Sequence, residues 1–305
     1  MQIMDTTLSA LFGSPGLFYS DIIEQILPRL NVHEYHFTSD EWFQDWVKSD
    51  NFDLATSNGI LALELIDKAH LAATTALFRT KRWVTATCLA YDNQNLVAWA
   101  SSVRGFIENA GDIMDGIRNV STALAENHAS ISSALSGQLS TKALDCTEIE
   151  RILDHFVFAK WMRASKADVR KAKDNIEYVR ELDLGKVPKI IEFYQKLCGI
   201  THPSSSSIDY IYVPISEGFK LDFNRDKTAI DELCHLFPMV LARSLMYACN
   251  PPLLTLRVLH RFGHHPRLPE LKKLNWKEIP EWAKIEPALN RYLAPPGARV
   301  IRRRT

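Results

Sequence analysis

Between Asn58 and Ala90 the chain reads NGILALELIDKAHLAATTALFRTKRWVTATCLA, rich in Leu and Ala, free of proline, with one glycine, Gly59, near its start. Leu and Ala lose little freedom on entering a helix, so this composition predicts one long helix of about eight or nine turns. Tyr91-Asp92-Asn93 reads as a break. A second long helix then spans about 94–119, with Leu96, Trp99, Val103, Phe106, Ile107, Ala110, Ile113, Met114 and Ile117 at helical spacing. Gly105, Gly111 and Gly116 interrupt its other side. Glycine weakens a helix interior, so close approach of neighbouring segments is expected there.

Working outward, Thr38-Ser39-Asp40-Glu41 and Thr147-Glu148-Ile149-Glu150 read as capping boxes. The first leads into Trp42, Phe43, Trp46 and Val47. The second leads into an apolar stripe of Ile149, Ile152, Leu153, Phe156, Val157 and Trp161. Residues 121–140, rich in Ser and Ala, read as a weak helix or a connection. A charged helix is predicted from Ser165 to about Leu184, ended by Gly185, and another from Pro188 to Cys198. Ser204 to Ser207 read as a polar loop. Ile208–Ile215 and Phe219–Phe223, around Ser216-Glu217-Gly218, read as a β-hairpin. Helix is expected again over 227–249, broken by Asn250-Pro251-Pro252, followed by short helical pieces and a basic tail, Arg299 to Arg304.

The expected architecture is all-α: an antiparallel helical bundle with two long central helices and one small β-hairpin insertion. Three segments are expected: an N-terminal helical part (1–57), a core (58–250, with the hairpin near 208–223) and C-terminal short helices with the tail (251–305).

Charge narrows the choice of function. Lys+Arg and Asp+Glu both number 36 in 305 residues, so no global field draws in nucleic acid or an acidic membrane, and any such binding needs a local patch. The five cysteines are odd in number and form no Cys-x-x-Cys pair, which points to reduced thiols rather than a disulfide or zinc framework. The first residues carry Asp5 and no basic cluster, unlike a signal peptide. The longest near-apolar run, Leu233 to Cys249, contains His235, Pro238 and Arg243 and is too short to span a bilayer. A cytoplasmic protein without membrane partners is expected.

Candidate chemistry concentrates on three residues. Arg104 and Glu108 are four apart, so they meet on one helix face, roughly 120–160° from the centre of the main apolar stripe. A surface ion pair is the plain reading. Val97, Ala100 and Gly111 share that side, however, which suggests that it is covered too. The third residue is His202, which precedes Pro203 where the helix ending at Cys198-Gly199-Ile200-Thr201 breaks. It is either a helix-end anchor or an acid/base. His260 and His264 have the i, i+4 spacing of a shared metal. Gly263 and Pro266 fray the helix there and no carboxylate or Cys lies nearby in sequence, so a basic helix end is the reading and no metal or cofactor is expected. Trp42, Trp46, Trp276 and Trp282 read as core or interface.

The run Val103-Arg104-Gly105-Phe106-Ile107-Glu108 resembles the apolar-Arg-x-x-x-Glu helix of large HEPN-like bacterial families. Tyr194-x-x-Leu197-Cys198-x-x-x-His202 resembles their Tyr-x-x-Leu-Ser/Cys-x-x-x-His helix end, and order and separation also fit over roughly 58–250. The resemblance implies a helical fold, frequent homodimers, protein partners such as antitoxins, and in many members metal-independent RNA cleavage in toxin–antitoxin or phage-defence systems. The active signature of that family is Arg, a polar residue, then His. Arg29 to His36 and Arg257 to His264 have its spacing, but Leu30 and Val258 are apolar, so the chain departs from it. A catalytic site would instead require Arg104, Glu108 and His202 to meet across helices, with His202 as general acid/base and Arg104 stabilising phosphate charge. Two readings therefore stand: a protein acting on RNA or a nucleotide, or a non-catalytic scaffold in which the trio locks helix register. A DNA-binding helix-turn-helix lacks a basic recognition helix and ranks last.

Overall fold

The computed structural model describes residues 2–159, 173–184 and 186–291. Trp161, most of the charged helix expected from Ser165, its terminator Gly185, Tyr292 and the Arg299–Arg304 tail lie outside the described residues. The helices are α1 (Gln2–Leu30), α2 (Asp40–Val47), α3 (Leu54–Asp92), α4 (Leu96–Ile117), α5 (Val120–Glu126), α6 (His128–Leu135), α7 (Thr147–Asp154), α8 (Asn175–Leu184), α9 (Ile190–Thr201), α10 (Ser205–Asp209), α11 (Asp226–Leu236), α12 (Val240–Leu259) and α13 (Trp282–Asn290). A π-helical turn, His155–Ala159, continues α7, and two 3-10 turns, Pro269–Lys273 and Trp276–Glu278, precede α13. The strands β1 (Tyr212–Ile215) and β2 (Gly218–Leu221) pair antiparallel, Tyr212 opposite Leu221 and Ile215 opposite Gly218. The architecture is an all-α bundle with one hairpin, and no helix among the described residues is long and apolar enough to cross a membrane.

The chain divides into two compact units, each assembled from separated stretches: Met1–Gln25, Ala76–Asp115 and Lys173–Cys249 in the first, Ile26–Thr75, Gly116–Ala172 and Asn250–Thr305 in the second. This grouping differs from the three consecutive segments drawn from the sequence. Breaks such as Asp92 to Asn95 mark turns between packed helices, and packing rather than chain order decides which helices belong together.

The long helices follow the sequence pattern. At 39 residues, α3 extends about 58 Å. Every residue of the α4 stripe from Leu96 to Ile117 is at most 3% exposed, which makes α4 a core helix. In the first unit, Phe12 meets Phe106 edge-on at 5.6 Å, and Trp99 and Phe237 both pack against Phe193. The α4 glycines mark close approach as expected. The Trp83 ring crosses Gly105, and the Tyr178 carbonyl lies 2.1 Å from where a Gly111 Cβ would be. In the second unit the Phe156 ring covers Gly116.

Several local expectations are corrected. The cap of α2 is Ser39, whose hydroxyl accepts from the Trp42 amide, while the Thr38 amide donates to Glu64. Thr147 is the first residue of α7 rather than its cap; Cys146 holds the cap position and makes no side-chain hydrogen bond there. Residues 120–135 form two short helices, α5 and α6. The serine run is ordered: Ser204 and Ser207 form the capping box of α10, which absorbs Ile208 and leaves only Tyr212–Ile215 to the strand. The break expected at Asn250-Pro251-Pro252 falls instead at Phe237-Pro238-Met239. The residue before a proline is driven from helical backbone, and Met239 takes a left-handed φ of 68°. Helix α12 runs on through both prolines to Leu259. Prolines inside a helix forfeit amide bonds, and burial of Leu253, Leu254, Leu256, Val258 and Leu259 offsets that loss. Trp42 is half exposed and stacks on Trp46 rather than entering the core, whereas Trp276 and Trp282 are buried together.

Candidate functional site

Arg104, Glu108 and His202 meet. Arg104 and Glu108 lie one turn apart on α4, and the Arg104 Nε donates to Glu108 Oε1 at 3.2 Å. The covering element is the C-terminal end of α9. That helix stops at Thr201 because Pro203 forces His202 into extended backbone, with φ −99° and ψ 149°. The His202 amide still caps the Cys198 carbonyl at 3.0 Å, and the Ser204 hydroxyl donates to the Gly199 carbonyl. The imidazole is thus carried on a fixed helix end. Arg104 Nη1 reaches across to Thr201 Oγ1 at 3.0 Å and to His202 Nε2 at 3.0 Å. A guanidinium has no acceptor, so in this contact Arg104 donates and the His202 Nε2 accepts. A cation at this point also sits against the negative end of the α9 dipole.

A fourth residue, Tyr194, completes the group. Its hydroxyl donates to Glu108 Oε1 at 2.6 Å. Burial, then the Glu108 carboxylate, push the Tyr194 phenol well above its usual range, so it stays a donor. Tyr194 precedes His202 by eight residues on α9, and that two-turn spacing was the sequence signal for its role. The group is graded in exposure. Tyr194 is buried, Arg104 and Glu108 side chains are 24% and 22% exposed, and His202 is exposed. Chemically it offers an anchored cation and an imidazole at the solvent side, backed by a carboxylate and a phenol. A guanidinium beside an imidazole suits a phosphate better than a metal, because the cation would repel one.

The surface depression along α5 and α7 in the second unit has the opposite character. Glu126, Asp145 and Glu148 line it and would repel a phosphate.

The histidine pair at 260 and 264 does not act together. His260 Nε2 accepts from the Leu268 amide at 3.2 Å, and burial, then nearby Arg257, lower its pKa to about 4. His264 turns instead, with His265, toward Asp67 on α3, where His33 also arrives. The carboxylate absent from the sequence neighbourhood is supplied by the fold. Burial opposes ionisation of Asp67, but hydrogen bonds from His264 and His265 outweigh it and hold the carboxyl well below the usual range. No local spacing joins residues 33, 67 and 265, and only the doubled histidine between Gly263 and Pro266 hinted at a site. The five cysteines are free thiols, with Cys88 and Cys249 buried.

Comparison of the chain with protein-family models, with curated proteins and with solved structures gives no match.

Proposed function

We propose that this protein acts on RNA or a nucleotide at the Arg104–Glu108–His202 site, as a HEPN-like component of a bacterial defence or toxin-type module in the cytoplasm. The observation that carries the reading is the 3.0 Å contact between Arg104 Nη1 and His202 Nε2 at the exposed edge of a group anchored from behind. In an RNA substrate, His202 Nε2 takes the proton of a 2′-hydroxyl while Arg104 stabilises charge developing on the adjacent phosphate. The 2′-oxygen bonds to phosphorus, the bond to the 5′-oxygen breaks, and that oxygen is protonated from solvent. Glu108 and Tyr194 touch no substrate; they position the guanidinium. A protein partner, an antitoxin or a second copy of the chain, fits this reading as the control on activity.

A second reading has its own support. Arg104, Glu108, Tyr194 and Thr201 satisfy one another within the group, as a network that only locks α9 to α4 would. Expression of the chain with measurement of growth and bulk RNA integrity separates the two, run beside Arg104→Ala and His202→Ala. RNA loss in the wild type, absent in both variants while their circular dichroism and melting stay native, supports the nuclease reading. Intact RNA in all three, with Arg104→Ala markedly less stable, supports the lock.

A further inference from the structure

A second constellation lies in the second unit and is independent of the phosphate-type site. We propose that His33, Asp67, His264 and His265 form a binding site for a divalent transition-metal ion of the zinc class, held by three imidazole nitrogens and one carboxylate oxygen.

The donor atoms carry the argument. One ligand atom from each of His33, Asp67, His264 and His265 lies within 4.8 Å of all the others. The three nitrogens stand 3.3, 3.4 and 3.0 Å from the one carboxylate oxygen. Ligands about 2.0–2.1 Å from a tetrahedral zinc ion are roughly 3.3 Å from one another, so three of the six ligand–ligand edges already have that length. Drawing the widest pair in from 4.8 Å asks for about 1.5 Å shared between two side chains, well within a change of χ angles.

Hydrogen bonding alone satisfies this arrangement poorly. A carboxylate oxygen offers about two lone-pair directions, and three imidazoles crowd the same one. Each neutral imidazole has a single N–H, so all three would have to carry it on Nε2. A cation at the centre of the four atoms replaces that conflict with four lone pairs converging on one charge. Imidazole nitrogens with a single carboxylate select zinc-class ions over calcium or magnesium, which take oxygen shells.

The surroundings fix the ligands. Gly263, at φ +70°, turns the chain after α12 so that successive residues, His264 and His265, face one oxygen with rings 81° apart. His265 is fully buried, and its Nδ1 has no hydrogen-bond partner. The ring is held instead by His70, stacked on it at 4.0 Å, and the Tyr35 hydroxyl pairs with His70 Nδ1 at 2.7 Å. His264, 26% exposed, and His33, 17% exposed, lie on the solvent side and give an ion a route in. The ligands come from the segment after α1, from α3 and from the turn after α12. An ion here therefore cross-links positions 34 and 198 residues apart, and its binding energy adds to folding of this unit.

The test uses the full chain without an affinity tag, stripped with chelator, then titrated with zinc chloride and separately with cobalt chloride. The expected results are one zinc retained per chain through gel filtration, visible absorption of tetrahedral Co2+, and a raised melting temperature with zinc. His264→Ala and Asp67→Asn should weaken zinc binding more than about tenfold, the scale reached when even a ligand's own hydrogen-bond partner is removed. They should also abolish the melting shift, while His235→Ala, at an exposed position in the first unit, leaves both intact. If Asp67→Asn does not fold, the partly exposed His264→Ala carries the comparison. Zinc uptake below one-tenth of an equivalent overturns the proposal, as does uptake unchanged in His264→Ala or lost equally in His235→Ala.

Discussion

Two helix-interior glycines should respond to alanine with opposite signs. A Cβ on Gly59 of α3 would meet nothing nearer than the Ala134 carbonyl oxygen at 3.4 Å. Only helix propensity then acts, and Gly59→Ala should stabilise by about 0.8–1 kcal/mol. On Gly111 of α4, three residues beyond Glu108, a Cβ would stand 2.1 Å from the Tyr178 carbonyl oxygen and 2.5 Å from its carbon. The obstacle is backbone and cannot rotate away, so α8 must retreat by about 1.3 Å or more for ordinary contact to be restored. Overpacking of this kind costs about 1–3 kcal/mol, and a backbone-on-backbone clash belongs at the upper end. Subtracting the propensity gain leaves Gly111→Ala about 2 kcal/mol less stable than wild type, and about 3 kcal/mol below Gly59→Ala. Urea unfolding followed by far-ultraviolet circular dichroism measures both, compared by midpoint and slope. A Gly111→Ala midpoint at or above wild type, with unchanged slope, would refute the close contact between α4 and α8.

Further outcomes are expected. Tyr194→Phe removes a hydrogen bond to a half-buried carboxylate and should cost about 1.5–2 kcal/mol by urea unfolding; a cost below about 0.5 would mean that the phenol and Glu108 are not coupled. Asn58 is fully buried and holds the Leu139 and Lys142 carbonyls and the Leu144 amide at 2.7, 2.9 and 2.7 Å. Asn58→Ala should cost about 3 kcal/mol and raise amide exchange over 139–144, whereas unchanged exchange would count against that anchor. Burial, then Arg261, lower the His128 pKa, so below about pH 6.5 the unfolded chain binds a proton that the folded chain does not. Stability therefore falls between pH 7 and 5, and His128→Leu should flatten that slope; an unaltered slope excludes His128 as a contributor. At the unfilled cap of α7, Cys146→Ser should add about 0.5–1 kcal/mol, read as a small rise in melting temperature.

What the sequence made legible follows the range over which each cause acts. The α4 stripe repeats every three or four residues, so periodicity alone identified its buried face. The second, half-covered face, with Arg104 and Glu108, was only partly legible: Ala100 is buried there as expected, but Val97 on the same side is exposed, and the element covering the pair lies about ninety residues away. Pro238 and Pro251-Pro252 look equivalent as letters. They differ because leucines after Pro252 are buried deeply enough to keep the helix intact, which is a property of packing. The ligand-like set at Asp67 was least legible. His33, Asp67 and the 264–265 pair share no spacing, and only the turn at Gly263 brings the two adjacent imidazoles onto one oxygen.

Under the proposed nuclease reading, the bond between Arg104 and His202 also makes the resting site its own inhibitor. The lone pair needed to accept a proton is occupied by the guanidinium beside it. On that reading, an anion that draws Arg104 Nη1 away from the imidazole binds and unmasks the base in a single event.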